Sequence, residues 1–249
     1  SPNQALAFRF TPFIAIPLTS VLVNIYLLRT ISRRRSSIKG AIWLSVFIMS
    51  ALVWSLTDLA TYSAANAYTG LIVRSGIALS ALIGLPALLV FVINNTYDDA
   101  EEFVGSFVTV LGTSFLIIAL ALATNFIFVR KPEALIAHFW GYEMVLGPLG
   151  TIYLAWFQFL TLLIAAIMVR FYVRERHGKK RRQAKIFLIS VLVPIIGTTL
   201  TNILPAYLNL PFFMPLESLF TTIMGALMLY GILRYSLFSI NPAEVATNI

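Results

Sequence analysis

The chain has 249 residues, of which 59% are hydrophobic and 11% are charged, and its mean hydropathy is +0.88. Ordinary soluble domains are about 45–50% apolar and about 25% charged, so the composition excludes a soluble globular protein and indicates an integral membrane protein. The net charge of +8 does not indicate nucleic-acid binding, because basic loops beside membrane helices fix the topology of the chain.

Seven apolar runs follow one another along the chain, and each is close to the roughly 20 residues that a helix needs to cross the hydrocarbon core. Runs such as "LIGLPALLVFVI" and "TSFLIIALALA" are apolar on every face, whereas the strands of a membrane barrel would alternate apolar and polar residues. The sequence therefore predicts an all-α polytopic bundle of seven transmembrane helices. The predicted spans are Phe8 to Ile31, Gly40 to Tyr62, Gly70 to Thr96, Phe103 to Phe126, Gly150 to Phe171, Ile186 to Tyr207 and Phe213 to Tyr235.

The basic residues determine the predicted orientation of the bundle. If the N-terminus lies outside, 14 of the 18 Lys and Arg residues fall at the cytoplasmic ends and loops. The positive-inside rule therefore predicts an extracellular N-terminus and a cytoplasmic C-terminus for a multi-pass protein of the plasma membrane.

A basic stretch, "RERHGKKRRQAK", precedes the sixth predicted span. Such a stretch fixes topology, and a cluster of about four to eight Lys and Arg beside a membrane helix also attracts anionic lipid headgroups. The two roles are compatible, so membrane lipids are expected partners. The predicted basic cluster consists of Arg174, Arg176, Lys179, Lys180, Arg181, Arg182 and Lys185.

One long connection, "VRKPEALIAHFWGYEMVLGPLG", joins the fourth and fifth predicted spans on the extracellular side. Residues alternate between apolar and polar from Ala137 to Val145, and Gly141 permits a turn, so this connection predicts a small extracellular hairpin. Long structured connections are often functional, which makes the hairpin a candidate lid or ligand-facing element. The alternative is that its Trp and Tyr simply lie at the membrane interface, where these residues accumulate.

An ionisable residue inside a membrane span is costly unless it faces the bundle and finds a partner. Asp58, Arg74 and Glu217 lie at similar depth near the extracellular ends of their spans. One interpretation is a structural lock, with Asp58 paired to Arg74. The other is an outward-facing polar pocket with aromatic walls, as ligand sites commonly have. The candidate pocket residues are Trp54, Asp58, Arg74, Tyr153, Trp156, Asn202 and Glu217.

Small residues recur every four positions on the third predicted span, at Gly76, Ser80 and Gly84. A small-xxx-small stripe permits close contact between membrane helices. We expect this stripe to pack within one bundle, and contact between two copies of the chain is the alternative.

Several chemistries are excluded by the residues that the sequence lacks. There is no Cys, and the two His residues, His138 and His177, lie in different loops, so no zinc-type ligand cluster is expected. No Lys lies in the last span, where a retinal Schiff base would need one, and no P-loop or nucleophile elbow occurs. We therefore expect no cofactor, no metal and no catalytic activity. A signal receptor and a small-molecule transporter remain as alternatives. Transporters usually have a charged site near the membrane midplane, whereas the charges here cluster near the outer face, so the receptor is favoured.

Several motifs resemble the N-terminal seven-transmembrane sensor region of histidine kinases, which also precedes diguanylate cyclase modules. Three of them are "LVWSLTDLA" in the second span, "GPLGTIYLAWFQ" opening the fifth and "RRQAKIFLISVLVPIIGTTLTNIL" around the sixth. The most specific is the exit "YGILRYSLFSINPAE", which is similar to the family's aromatic-Ile-Arg-Tyr ending and the apolar linker after it.

This resemblance implies a sensory input bundle that is followed in the same protein by a cytoplasmic PAS or kinase output domain. The chain itself has neither a histidine box nor a nucleotide-binding glycine motif. The resemblance also implies a homodimer, because sensors of this kind generally work as dimers, but it does not name a ligand. Residues 1–238 are then the sensor domain, and residues 239–249 are a cytoplasmic linker to an output domain. The alternative for the tail is an ordinary ragged terminus.

Overall fold

The computed structural model of the chain describes residues 6–97, 104–123, 129, 131, 135–143, 147–175, 178–203 and 214–235. These residues are mostly helical and contain seven α-helices and one two-stranded hairpin. The helices are α1 (Ala15–Arg33), α2 (Ala41–Ser63), α3 (Ala67–Thr96), α4 (Val104–Ala123), α5 (Gly150–Arg174), α6 (Gly178–Thr198) and α7 (Glu217–Tyr235). The strands are β1 (Ile136–His138) and β2 (Gly141–Glu143).

Four helical segments within the described ranges are long and apolar enough to cross a membrane by themselves. They are Pro12–Arg33, Ala41–Ser63, Gly150–Arg174 and Arg181–Thr201, and α3 adds a shorter apolar segment, Ser80–Thr96. The expected helical membrane protein is therefore found, while the count of seven crossings and the orientation stay predictions.

The beginning of the first helix differs from the prediction. The helix begins at Ala15, whereas the apolar run begins at Phe8. Residues 7–9 are instead extended and pair with the end of α2, where the Arg9 N–H donates to the Ser63 carbonyl at 2.6 Å and Phe8 bridges to Ala64. A 3-10 turn, Pro12–Ile14, then leads into α1. Residues at a helix end leave backbone groups unpaired, and here the extended segment supplies partners for them.

The sixth helix also begins before its predicted span. It starts at Gly178, two turns ahead of Ile186, and it continues through a π-helical turn, Thr199–Ile203. The part of the basic stretch from residue 178 onwards is therefore helical and not a loop. Hydropathy locates the point where a chain leaves the membrane, whereas the helix itself continues for as long as its backbone bonds are favourable.

Six of the helices form a ring around a shared apolar core. In the order α1, α2, α3, α5, α6, α7 each helix packs against the next, and α7 closes the ring by packing against α1 and α2. The fourth helix packs on the outside of α3. Every ring helix contributes fully buried side chains to the core, among them Leu27, Leu44, Phe91, Met168, Phe187 and Met228.

Glycines permit the closest contacts between neighbouring helices. A Cβ placed on Gly76 would lie 2.9 Å from the Thr57 hydroxyl, and a Cβ on Gly84 would lie 3.0 Å from the Ser50 Cβ. Both contacts join α3 to α2, so the prediction that this small-residue stripe packs within one bundle is confirmed. The tightest contact joins α6 to α7, where a Cβ on Gly197 would lie 2.5 Å from the ring of Phe220.

The α6–α7 contact gives the first prediction, for the substitution Gly197→Ala. The added methyl group would overlap the Phe220 ring, and overpacking of this kind typically costs about 1–3 kcal/mol. We expect the midpoint of thermal unfolding of the purified protein, followed by circular dichroism in detergent, to fall by on the order of 5 °C.

Gly112→Ala on α4 is the matched control, because a Cβ at that position meets no atom of the described residues within 4 Å. Alanine favours a helix over glycine by about 1 kcal/mol, so this variant is expected to be at least as stable as the wild type. Equal unfolding midpoints for Gly197→Ala and the wild type would contradict the close contact.

Candidate ligand-binding site

A cavity of about 70 Å³ lies inside the ring, between α2, α3, α5, α6 and α7. Its walls are mostly aliphatic and aromatic, with Phe47, Leu88 and Phe157 among them. The polar side chains that reach it include Trp54, Gln158, Glu217 and Thr221. A concave apolar site with a few polar groups is the usual form of a small-molecule site, so this cavity is the candidate site.

Trp54 of α2 is the aromatic residue that best fits the predicted pocket. It is 8% exposed, lines the cavity, and packs edge-on against the ring of Phe157 at a centroid distance of 6.5 Å. Its indole N–H has no hydrogen-bond partner among the described residues. An unpaired buried donor is costly, so a tryptophan normally pairs its N–H when it is buried.

Glu217 is the first residue of α7, and it is half-buried at the cavity. Its position suits a carboxylate, because the N-terminus of a helix carries partial positive charge. Among the described residues that line the cavity, Glu217 is the one that ionises. The structure thus brings together two of the predicted pocket residues, Trp54 and Glu217.

Asp58 lies one turn after Trp54 on α2 and is 2% exposed, but it is outside the cavity lining. Its predicted partner, Arg74, is on α3, and the Arg74 side chain lies outside the described part of the structure. The ion pair between these two residues therefore stays a prediction. The side chain of Asn202, in the π-helical turn after α6, also lies outside the described part.

Tyr153 and Trp156, on the first turns of α5, are placed elsewhere. Tyr153 is buried in a small apolar cluster with Leu82 and Ile117, and Trp156 packs against the same cluster. This cluster joins α3, α4 and α5, whereas the cavity lies among the ring helices. The ring of Tyr153 contacts the ring of Phe157, which lines the cavity, at a centroid distance of 6.5 Å.

A buried polar group that the sequence analysis missed joins three helices. The side-chain amide of Asn24 in α1 donates to the Ser55 hydroxyl of α2 at 3.2 Å and to the Thr222 hydroxyl of α7 at 3.0 Å. We call these three residues the Asn24 clamp. Asn24 is 0% exposed, and an Asn in the middle of an apolar run was a signal that the sequence offered, because such residues form bonds between membrane helices.

Tyr62, at the end of α2, joins the hairpin to the beginning of α7. Its hydroxyl donates to the Pro215 carbonyl at 2.5 Å, and its ring packs edge-on against Trp140 at a centroid distance of 5.9 Å. Its own carbonyl accepts a hydrogen bond from the Thr11 hydroxyl. Trp140 is 2% exposed, so the hairpin is packed firmly against the end of the bundle that we call the hairpin end (residues 6–14, 61–70, 136–143 and 214–217).

The opposite end of the bundle carries the predicted basic cluster. The last turn of α5 and the first turns of α6 present Arg174, Arg181, Arg182 and Lys185, all exposed. The guanidinium of Arg181 lies 5.4 Å from the ring centroid of Tyr172, a cation–π geometry. Arg176 and the side chains of Lys179 and Lys180 lie outside the described residues. The cluster is therefore divided between two neighbouring helix ends.

Within the described residues, no group of three or more His, Asp or Glu side chains could hold a metal ion. What the arrangement offers is a small apolar cavity, a buried polar clamp and two distinct ends. Such features are suited to binding a ligand and to changes in helix packing.

The chain was compared with known protein families and with curated proteins. A family model described as the N-terminal 7TM region of histidine kinase matches residues 16–242, which is most of the chain. No curated protein matches it. The family is the membrane sensor region of these signalling proteins and is not itself their catalytic part. The chain therefore belongs to the family of N-terminal seven-transmembrane sensor regions of histidine kinases.

Proposed function

We propose that the chain is a signal receptor that detects an extracellular or membrane-borne ligand and passes a conformational change through α7 to a cytoplasmic output domain in the same protein. The observation that carries this proposal is the position of α7. It lines the cavity with Glu217, Thr221 and Met224, and its Thr222 hydroxyl accepts a hydrogen bond from Asn24 of α1, which also donates to Ser55 of α2. Catalysis belongs to the output domain, and the sensor acts without a cofactor or a metal.

The energies involved permit such coupling. Hydrogen bonds between membrane helices contribute about 0.6 kcal/mol on average, so the Asn24 clamp can be rearranged at low cost. A ligand that prefers one packing of the bundle by about 100-fold supplies about 2.7 kcal/mol, because each tenfold is about 1.4 kcal/mol. Ligand binding at the cavity can therefore outweigh the clamp and shift α7.

The proposed topology has seven crossings, with the hairpin end outside the cell and the basic end in the cytoplasm. The distribution of Lys and Arg supports it through the positive-inside rule. Residues 1–238 then form the sensor domain, and residues 239–249 form the linker to a kinase or PAS output domain. We further propose that the basic cluster binds anionic lipid headgroups and that two copies of the chain work as a homodimer.

Orientation can be tested directly because the natural chain has no Cys. Phe139→Cys places a thiol on the hairpin, where Phe139 is 53% exposed, and Arg182→Cys places one at the basic end. A membrane-impermeant maleimide applied to intact cells is expected to label the first variant and to label the second only after lysis. The opposite pattern would invert the proposed topology, and Ile117→Cys, which is buried, is the unlabelled control.

Signalling can be tested with the chain joined to the catalytic region of a histidine kinase and reconstituted in vesicles. Asp58→Asn and Glu217→Gln each remove a charge near the cavity. A change of about 1 kcal/mol in a two-state equilibrium is a factor of about five, so we expect each variant to shift basal autophosphorylation by about fivefold. Lys39→Gln, an exposed residue outside both the cavity lining and the basic cluster, is the control. Wild-type output from both Asp58→Asn and Glu217→Gln at equal expression would refute the proposal.

The clamp gives a separate prediction for the same fusion protein. Thr222→Val keeps the shape of the side chain and removes the hydroxyl that accepts from Asn24, so α7 is held less firmly. The loss of about 0.6 kcal/mol corresponds to a two- to threefold rise in basal autophosphorylation, with a smaller response to stimulus.

Thr113→Val on α4 is the matched control for the clamp, because Thr113 is exposed and its hydroxyl bonds only to carbonyls of its own helix among the described residues. An equal effect of both substitutions would mean that the clamp does not hold the output helix.

A further inference from the structure

We propose that the cavity binds a small, mostly apolar molecule that presents one hydrogen-bond acceptor, and that the indole N–H of Trp54 donates to this acceptor. The inference rests on the proposed sensor function for its role in signalling, since it names the chemistry that the sensor detects. Two observations carry it: the size of the cavity and the unpaired donor in its wall.

The size of the cavity sets the size of the recognised group. A group the size of a water molecule occupies about 10–15 Å³ of cavity volume, so a cavity of about 70 Å³ holds about five or six such groups. This matches a ring or chain of about six heavy atoms, which is either a whole small molecule or the compact end of a larger one. The largely apolar walls favour carbon atoms at most of these positions.

The indole N–H in the cavity wall determines which polar group the ligand carries. The indole N–H of Trp54 is buried and has no partner among the described residues. A ligand oxygen that accepts from this donor removes the cost of leaving it unpaired, which a purely apolar ligand cannot do. A carbonyl, ether or hydroxyl oxygen satisfies the requirement.

The test measures binding to the purified chain in lipid nanodiscs with two probes of similar shape. Cyclohexanone carries an acceptor, and methylenecyclohexane has the same shape without one. The chain has four Trp residues, so labelling with indole-15N tryptophan gives four N–H signals at most, and Trp54→Phe identifies the one from Trp54. We expect cyclohexanone to move this signal downfield in a saturable manner.

The expected selectivity follows from one hydrogen bond, which corresponds to about tenfold in affinity. Cyclohexanone is expected to bind about tenfold more tightly than methylenecyclohexane to the wild type and equally well to Trp54→Phe. Equal affinities of the ketone and the hydrocarbon for the wild type would overturn the assignment.

A second variant keeps the test decisive if Trp54→Phe does not fold. Thr161→Leu fills part of the cavity, and Thr113→Leu on the exposed side of α4 is its matched control, because both hydroxyls bond to the carbonyl four residues earlier. Loss of ketone binding in the first variant alone supports the site, whereas binding that survives cavity filling places the ketone elsewhere and overturns the proposal.

Failure of the ligand assignment can be distinguished from failure of the proposed sensor function. If the ketone does not bind while Asp58→Asn or Thr222→Val still changes the output of the kinase fusion, the ligand assignment fails and the sensor function stands. If the ketone binds as expected but no variant of α7 alters the output, the binding site stands and the coupling fails.

Discussion

The amide of Asn24 is the interaction on which the arrangement of the bundle depends. Apolar contacts cannot distinguish one helix rotation from another strongly when lipid tails are equally apolar, so specific pairing has to come from close packing and hydrogen bonds. One buried amide that binds both Ser55 and Thr222 fixes the relative rotation of α1, α2 and α7. These three helices, aligned in that way, make up half of the ring of helices, and α2 and α7 also line the cavity inside it.

The sequence predicts the helices well wherever membrane hydropathy and helix formation coincide. The bounds of α2 and the beginning of α5 lie within one residue of the predicted spans. Prediction failed at the start of α1, since residues 7–9 pair with residues more than fifty positions away and no local pattern contains that partner. It failed at the start of α6 for a different reason, because a basic helix outside the hydrocarbon has no hydropathic signal.

The sequence indicates only some of the residues that line the candidate site, and the reason is geometric. Counting residues along a span gives the depth of a side chain, and Trp54 and Glu217, which this depth places together, both line the cavity. Depth does not give the direction in which a residue points around its helix axis. Tyr153 lies at a suitable height but faces Leu82 and Ile117, while Gln158 and Thr221 line the cavity and carried no separate signal in the sequence.

The contact between Gly197 and Phe220 has a consequence for how the proposed output motion reaches the membrane surface. With no space between α6 and α7 at this point, a piston or rotary step of α7 carries α6 along. The first two turns of α6 extend about 12 Å beyond its apolar part and bear Arg181, Arg182 and Lys185. In the proposed topology these charges would move relative to the anionic headgroups that attract them. The lipid composition of the inner leaflet would then influence how readily the receptor switches.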